Sequence, residues 1–352
     1  AQYNYTWMMY DVRKPLPQKP VRFMDQFRAE IRKRGMSFHT ENTYVYWVRS
    51  YIRFHQRRHP REIGAKEIDE FLTFLADRRQ VSINTQKLAL NALIFLYKKF
   101  LQAEIGELAF RGARRRQRAP VVFSHEEAIR VIDLMREPYK LMAELLYGAG
   151  LRMHECLVLR IKDLDFSQSQ ICVRDGKGNK DRFTLLPKSI AYRLKRQIDE
   201  VQKLHEYDLA RGFGEVYMPD GLSRKYPAES KSLSWQFLFP SRNISTDPRS
   251  GIKRRHHAHH SAFSKNLKKA FAGAGIYKKC SAHTFRHSFA TRLLENGYDL
   301  KLIQSLMGHS DIRVTEIYLH VVRNRASSIK GPLDLTRETQ EPLFGYESFA
   351  AA

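Results

Sequence analysis

Cysteine is scarce in this chain: Cys156, Cys172 and Cys280 are the only thiols in 352 residues. Their number is odd, no pair has CxxC spacing, and each sits among apolar or helix-forming neighbours, so a disulfide framework is not expected. Long apolar runs are missing too. None approaches the ~20 residues that a membrane-crossing helix needs, and residues 1–20 lack the apolar core of a signal peptide. A cytoplasmic, nucleoid-associated protein with no membrane partner is the expectation. No internal repeat is visible. Negative charge is also in short supply, with Lys+Arg at 61 against Asp+Glu at 37, a net +24. A surface this basic calls for a polyanion, and nucleic acid is the expected partner.

Apolar residues recur at helical spacing in Met24/Phe27/Ile31, Tyr44/Trp47/Val48/Tyr51, Ile68/Phe71/Leu72/Leu75 and Leu90/Leu93/Ile94/Tyr97/Leu101. This predicts a four-helix unit over residues 21–103, preceded by an extension over 1–20. Arg49, Arg53, Arg57, Arg58, Lys98 and Lys99 alternate with the stripes, either as a solvated surface or as phosphate contacts. Residues 104–120 read as a linker, because Arg111 to Pro120 is basic, has no apolar period and ends in proline. Its Arg114, Arg115, Arg116 and Arg118 are candidate DNA contacts. Ser124 and Glu127 form a capping box that opens a second domain over 121–330. There the period changes: Ile171 to Val173 and Arg182 to Leu185 flank a turn rich in Asp, Gly and Asn, the pattern of a β-hairpin. A helix follows around Ile190 to Leu209, then an irregular segment from Gly212 to Ser232. Trp235, Phe237 and Phe239 alternate as a strand would, ending at Pro240. Short helices fill the rest to about Ile329, and residues 331–352 resemble a flexible or partner-docking tail. The fold class expected is mainly α with a small β-hairpin or sheet.

Six residues far apart in the chain could serve one chemistry. Arg152, after Gly148-Ala149-Gly150, and Arg286 suit the non-bridging oxygens of a phosphodiester, because a guanidinium is planar, always charged and able to donate two parallel hydrogen bonds. Glu155, one turn after Arg152, either orients it or makes an ordinary helical ion pair. His283 and Arg286, three residues apart, share a helix face. His287 is adjacent to Arg286 and is expected to point elsewhere, as a structural or phosphate-neighbouring group. His309, in Gly308-His309-Ser310, could donate to the phosphate or partner a tyrosine. Tyr318 lies nine residues beyond it, so the chain should turn between them, with Ser310 or Asp311 as N-cap. A phenol of reference pKa about 10 needs neighbouring cations or a base to act as a nucleophile. Lys177, in Gly176-Lys177-Gly178-Asn179-Lys180, could protonate a leaving oxygen, with Lys180 and Arg182 as competitors. Taken singly, each of these residues has an ordinary reading as an ion pair, a packed helix residue or a solvated turn lysine.

Together they resemble the tyrosine recombinases across most of residues 21–330. Gly150-Leu151-Arg152-Met153-His154-Glu155 is similar to that family's first arginine box, and His283 to Arg292 with Leu306 to Tyr318 is similar to its second. The resemblance implies an N-terminal core-binding domain and a catalytic domain forming a C-shaped clamp on DNA. It assigns the catalytic roles to Arg152, Lys177, His283, Arg286, His309 and Tyr318, and it implies a covalent phosphotyrosine, a homotetrameric synapse, and neither metal nor ATP. A finer resemblance is to integron integrases. Lys225-Tyr226-Pro227 through Ser234-Trp235-Gln236 to Ser241, followed by Arg254-Arg255-His256-His257, looks like the insertion of that branch, here about 212–260. It implies a grip on bases extruded from a folded single-stranded site. An exposed Trp235 or Tyr226 could stack on such a base for about 1 to 3 kcal/mol, with Lys180, Arg182, Arg254, Arg255, His256 and His257 as further DNA contacts. The alternative for Trp235, Phe237 and Phe239 is a buried strand. The histidines at 256, 257, 259 and 260 have no carboxylate or cysteine to complete a metal site, so no metal is expected.

Three rival readings differ in what they require. A catalytically silent DNA-binding relative would lack one of the six residues, a Xer-like or phage-type enzyme would act only on duplex sites, and a histidine-based nuclease would fail in excess EDTA. The charge leads to a direct prediction. A protein contacting six to ten phosphates should lose about 10³ to 10⁵ in DNA affinity between 50 and 200 mM salt. Titrations across that range should give a steep linear fall of log K against log salt, and a nearly flat line would exclude extensive phosphate contact.

Overall fold

The structure is a computed structural model that describes residues 16–109, 120–174, 181–247 and 250–323. The chain divides into two compact units: Ala1–Arg118 with Thr246–Lys253, and Ala119–Ser245 with Arg254–Ala352.

The first unit is built from four helices, α1 (Phe23–Lys33), α2 (Phe38–Phe54), α3 (Ala65–Asp77) and α4 (Ile83–Phe95), the last continuing as a wider π turn over Leu96–Leu101. Short polar residues start them: Ser37 accepts from the Thr40 amide at 3.1 Å and Ser82 from the Thr85 amide at 3.2 Å. Their apolar stripes meet in a core of Phe27, Ile31, Val48, Tyr51, Ile68, Phe71, Leu72 and Leu93. Polar groups inside it are matched. The buried Glu41 carboxylate takes Arg28 at 2.6 Å and Arg32 at 2.9 Å, and the Tyr51 and Tyr97 hydroxyls lie 2.9 Å apart, with Tyr97 donating to the Ile63 carbonyl. Arg49, Arg53, Arg57, Arg58, Lys98 and Lys99 remain exposed.

The second unit opens with α5 (His125–Asp133), where the capping box forms: Ser124 accepts from the Glu127 amide at 3.2 Å and Glu127 from the Ser124 amide at 2.8 Å. Helices α6 (Tyr139–Gly148) and α7 (Met153–Val158) follow, then a three-stranded antiparallel sheet in the order β1 (Leu164–Asp165), β2 (Gln170–Val173), β3 (Arg182–Leu185). The expected hairpin is β2–β3, paired Cys172 to Phe183 and Val173 to Arg182. Next come α8 (Ala191–Ala210), the short α9 (Asp220–Lys225), a two-stranded ribbon of β4 (Pro240–Thr246) and β5 (Lys253–His257), and α10 (His260–Gly273). Three helices end the described chain: α11 (Ala282–Glu295), α12 (Leu300–Met307) and α13 (Arg313–Arg323). No helix among the described residues is long and apolar enough to cross a membrane.

One expectation fails here. The aromatic alternation at Trp235, Phe237 and Phe239 is not a strand: Leu233–Trp235 is a 3-10 turn, Phe237 makes a single bridge to Arg160, and β4 begins at Pro240. The Arg160 guanidinium donates to the Trp235 carbonyl at 2.6 Å and to the Tyr217 carbonyl at 2.8 Å. A side chain thus takes an acceptor that a ladder would need. Phe237 and Phe239 are buried, while Trp235 is half-buried.

Two glycines let elements of the second unit approach closely. Gly150, just beyond α6, has φ +63°, and a Cβ there would lie 2.4 Å from the Phe289 ring of α11. Gly308 closes α12 at φ +60°, where a Cβ would lie 2.6 Å from Arg182 Cδ. Any larger residue would meet both strain and a clash.

Candidate active site

The end of α6, the start of α7, β3, α11, the end of α12 and α13 converge on one buried carboxylate, Glu155. Arg152 stands at the N-cap of α7 and donates its backbone N–H to Glu155 Oε2 at 2.8 Å and its Nη1 to Oε1 at 2.7 Å. Arg182 closes on the same carboxylate with both terminal nitrogens, at 2.9 and 2.7 Å. Arg286 Nη1 lies 3.9 Å from Oε2. Burial alone would raise the Glu155 pKa, but the hydrogen bonds and charge of Arg182, together with those of Arg152, outweigh it and hold the pKa down at about 2.

Each arginine also takes one of three successive carbonyls at the end of α12. Arg182 Nε donates to Leu306 at 3.0 Å, Arg286 Nη2 to Met307, and Arg152 Nη2 reaches Gly308 at 3.4 Å. Arg286 Nη1 donates to the Gly150 carbonyl. Burial, then the charge of Arg152, pushes the Arg286 pKa down to about 9, which still leaves it a cation at neutral pH.

Three histidines and the tyrosine line the same place. His309 follows Gly308. Its Nδ1 is 2.9 Å from Thr315 Oγ1, its Nε2 is 3.4 Å from Arg286 Nη2, and burial with the charges of Arg286, Arg152 and Arg182 pushes its pKa down to about 4. His283 is exposed near the start of α11, its pKa lowered by desolvation of the ring and by Arg286 and Arg152. The chain turns between His309 and Tyr318 as the spacing requires, with Asp311 accepting from the Arg313 amide at 3.0 Å. Tyr318, on α13, is only 1% exposed. Burial pushes its pKa up to about 12, against a lowering by Arg286 and Arg152.

Arg152, Arg286, His283, His309 and Tyr318 are therefore gathered in one place. Two partners went unrecognised in the sequence. His287 does not point away: its Nδ1 is 2.8 Å from the Tyr318 hydroxyl. Its spacing of four from His283 is the signal that could have found it, since the two rings share a helix face, 6.2 Å apart. Arg182, expected to contact DNA, is instead partly buried in its pair with Glu155, and no local pattern marks that partnership.

The remaining DNA-contact residues divide. Lys177, Lys180, Arg114, Arg115, Arg116 and Arg118 lie outside the described residues. Arg254 is buried, 3.4 Å from Glu215 and over the Tyr217 ring. Arg255 forks onto Asp208 and also donates to the Ser241 and Arg242 carbonyls at 2.8 and 2.7 Å. His257 is buried with Nδ1 2.7 Å from the Ala258 carbonyl, and burial pushes its pKa down to about 4. These three hold the domain's own structure, because β5 lays them against its acids and carbonyls. His256 packs at 5.3 Å from the Phe237 ring. Trp235 remains accessible, with Lys162 Nζ 4.2 Å and the Arg160 guanidinium 5.1 Å from its ring.

Residues 122–325 match the phage integrase family, and residues 23–107 match the N-terminal SAM-like domain of phage integrases. The chain belongs to the phage integrase family. It is a tyrosine-type, site-specific DNA recombinase. An integrase/recombinase of Escherichia coli is 44% identical over 322 residues, covering 91% of this chain and 96% of that protein, as is one of Pseudomonas aeruginosa. The tyrosine recombinase XerA of Thermococcus kodakarensis is 28% identical over 307 residues, covering 86% and 92%. Among solved structures, XerH bound to a palindromic difH substrate in a post-cleavage complex is 20% identical with TM-score 0.56, covering 86% of this chain and 82% of that one. The Tn1549 transposon integrase in complex with transposon right end DNA is 18% identical with TM-score 0.57, covering 90% and 97%. Both share the recombinase's fold.

Glu155→Gln should test the hub. The folded pKa of about 2 lies below the ordinary 4.5, so the ionised carboxylate contributes stability that is fully present above pH 4.5 and is lost as the pH falls towards 2. The variant should be about 3 kcal/mol less stable at pH 7. Urea unfolding from pH 7 down to 3 should show the difference from the parent shrinking, and a constant difference would assign the loss to packing.

Proposed function

We propose that this recombinase is an integron integrase. Tyr318 attacks the scissile phosphate and forms a 3′-phosphotyrosyl bond, and four protomers exchange strands to insert or excise gene cassettes at duplex and folded single-stranded sites. The observation that carries the chemistry is the convergence of four side chains: Arg152 and Arg286 both reach carbonyls at the end of α12, His309 Nε2 is 3.4 Å from Arg286 Nη2, and the Tyr318 hydroxyl is 2.8 Å from His287, on the same helix as Arg286. The N–H groups of those arginines that do not hold carbonyls suit the non-bridging oxygens, and neutral His309 and His283 add donors beside them. Such preorganised charge is the largest contribution to phosphoryl transfer. Lys177 protonates the leaving 5′ oxygen. The energy of the broken linkage stays in the phosphotyrosyl bond, so religation draws on no metal or nucleotide.

Support for the integron branch comes from the surface of the insertion. Trp235 carries two cations at its ring, and Tyr226, 45% exposed, has Lys225 Nζ 5.2 Å from its ring. Aromatic faces set among cations suit an unpaired base on a phosphate backbone.

Tyr318→Phe should bind attachment-site DNA like the parent yet give no covalent adduct with a strand nicked near the cleavage point; an adduct from that variant would remove Tyr318 from its role. Trp235→Ala should lose at least tenfold more recombination on a folded hairpin site than on its duplex, as about 1.4 kcal/mol of stacking implies. Equal loss on both substrates would favour an enzyme of duplex sites only.

A further inference from the structure

A phenol with a pKa raised by burial needs a proton acceptor at the moment it attacks, and the arrangement around Tyr318 is selective about which side chain meets it. His309 has its Nδ1 at Thr315 and its Nε2 towards Arg286. His283 is exposed, and its ring packs against His287. His287 directs Nδ1 at the Tyr318 hydroxyl, 2.8 Å away, from a helix that packs directly on α13, with the two rings 5.7 Å apart. We infer that His287 is a further catalytic residue, the proton acceptor for Tyr318 during cleavage and the donor that returns the proton during religation. The inference rests on the reading of Tyr318 as nucleophile.

The step balances. As the Oη–P bond forms, the Oη–H bond breaks and its proton moves to His287 Nδ1, while the P–O5′ bond breaks and the leaving oxygen takes a proton from the general acid. In religation the 5′ hydroxyl gives its proton back to the general acid as the P–O5′ bond forms, the P–Oη bond breaks, and the protonated His287 returns its proton to Oη. Before DNA binds, the pair rests neutral. Burial, with His283 and Arg286, pushes the imidazole pKa down to about 4, and the phenol stays protonated. The nucleophile is therefore quiet until bond formation to phosphorus turns the phenol into a strong acid, which is the circumstance in which general-base help is worth most. A phosphate anion set between Arg152 and Arg286 would also offset the Arg286 charge that suppresses His287. The charged and titratable groups around this pair are His283 and Arg286 on α11, Arg152 at α7 and His309 after α12.

The test uses the full chain, a nicked attachment-site duplex, and the same duplex with sulfur in place of the bridging 5′ oxygen, whose thiolate leaves without a proton. His287→Asn keeps a hydrogen-bond acceptor near the Nδ1 position but cannot take up a proton, and His287→Leu removes both. The expected result is DNA binding and thermal midpoint close to the parent for the Asn variant, with covalent adduct forming about 10²-fold or more slowly on both substrates. The sulfur leaving group should not rescue it, and its rate should climb with pH as hydroxide replaces the imidazole. An Asn variant within a few-fold of the parent on both substrates would reduce His287 to packing and leave Tyr318 untouched. An adduct from Tyr318→Phe would instead defeat the nucleophile assignment. If neither His287 variant folds, the parent decides: its adduct rate on the sulfur substrate should fall on the acid side while DNA remains bound, and a rate that does not fall overturns the inference.

Discussion

The site depends on one buried anion. Three guanidinium groups lie around Glu155, and without the carboxylate their mutual repulsion in a partly desolvated place would drive them apart. Glu155 cannot neutralise three charges, however, and the difference is made up by helix ends. The final carbonyls of α12, at Leu306, Met307 and Gly308, each face a different arginine, so the cations act as the C-cap of that helix and meet the negative end of its dipole. The arrangement leaves a net positive pocket whose geometry is fixed before any phosphate arrives. It also explains why Gly308 must be glycine: the chain turns into the left-handed region there with Arg182 against its back, and the next residue is His309.

What the sequence made legible follows from the range of the interactions. The helical stripes of the first unit, the Ser124 capping box and the β2–β3 hairpin are local, and periodicity or turn chemistry reveals them. Arg286 and His283, three apart, and the turn between His309 and Tyr318 are local as well. The Glu155–Arg182 pair joins residues 27 positions apart, and Arg255 meets Asp208 across 47. A basic residue in a basic stretch reads as a phosphate contact until the fold brings an acid to it, as Glu155 comes to Arg182, Glu215 to Arg254 and Asp208 to Arg255. The aromatic alternation from Trp235 to Phe239 failed for a related reason. Gln236 and Leu238 are buried along with Phe237 and Phe239, so the alternation of aromatics does not mark two faces, and Arg160 takes the carbonyl at Trp235 that a ladder would need.

The histidines acquire their character from the same positive pocket. Burial and nearby guanidinium charge act together on His309 and His287, pushing both pKa values down to about 4. At neutral pH these rings are uncharged, so among the described residues the positive field at the site comes from the arginines, and the histidines serve as directional donors and acceptors. Arg286 can only donate, so the approach of its Nη2 to His309 Nε2 at 3.4 Å makes that nitrogen the acceptor and leaves the ring proton on Nδ1, 2.9 Å from the Thr315 hydroxyl oxygen. A phosphate that took over the Arg286 N–H would free His309 Nε2 to carry the proton and donate in turn. His287, whose Nδ1 faces a hydroxyl that has a proton to lose, is set the opposite way. One electrostatic environment can thus give two imidazoles complementary roles, because the hydrogen-bond partner of each ring, rather than its basicity, selects the tautomer.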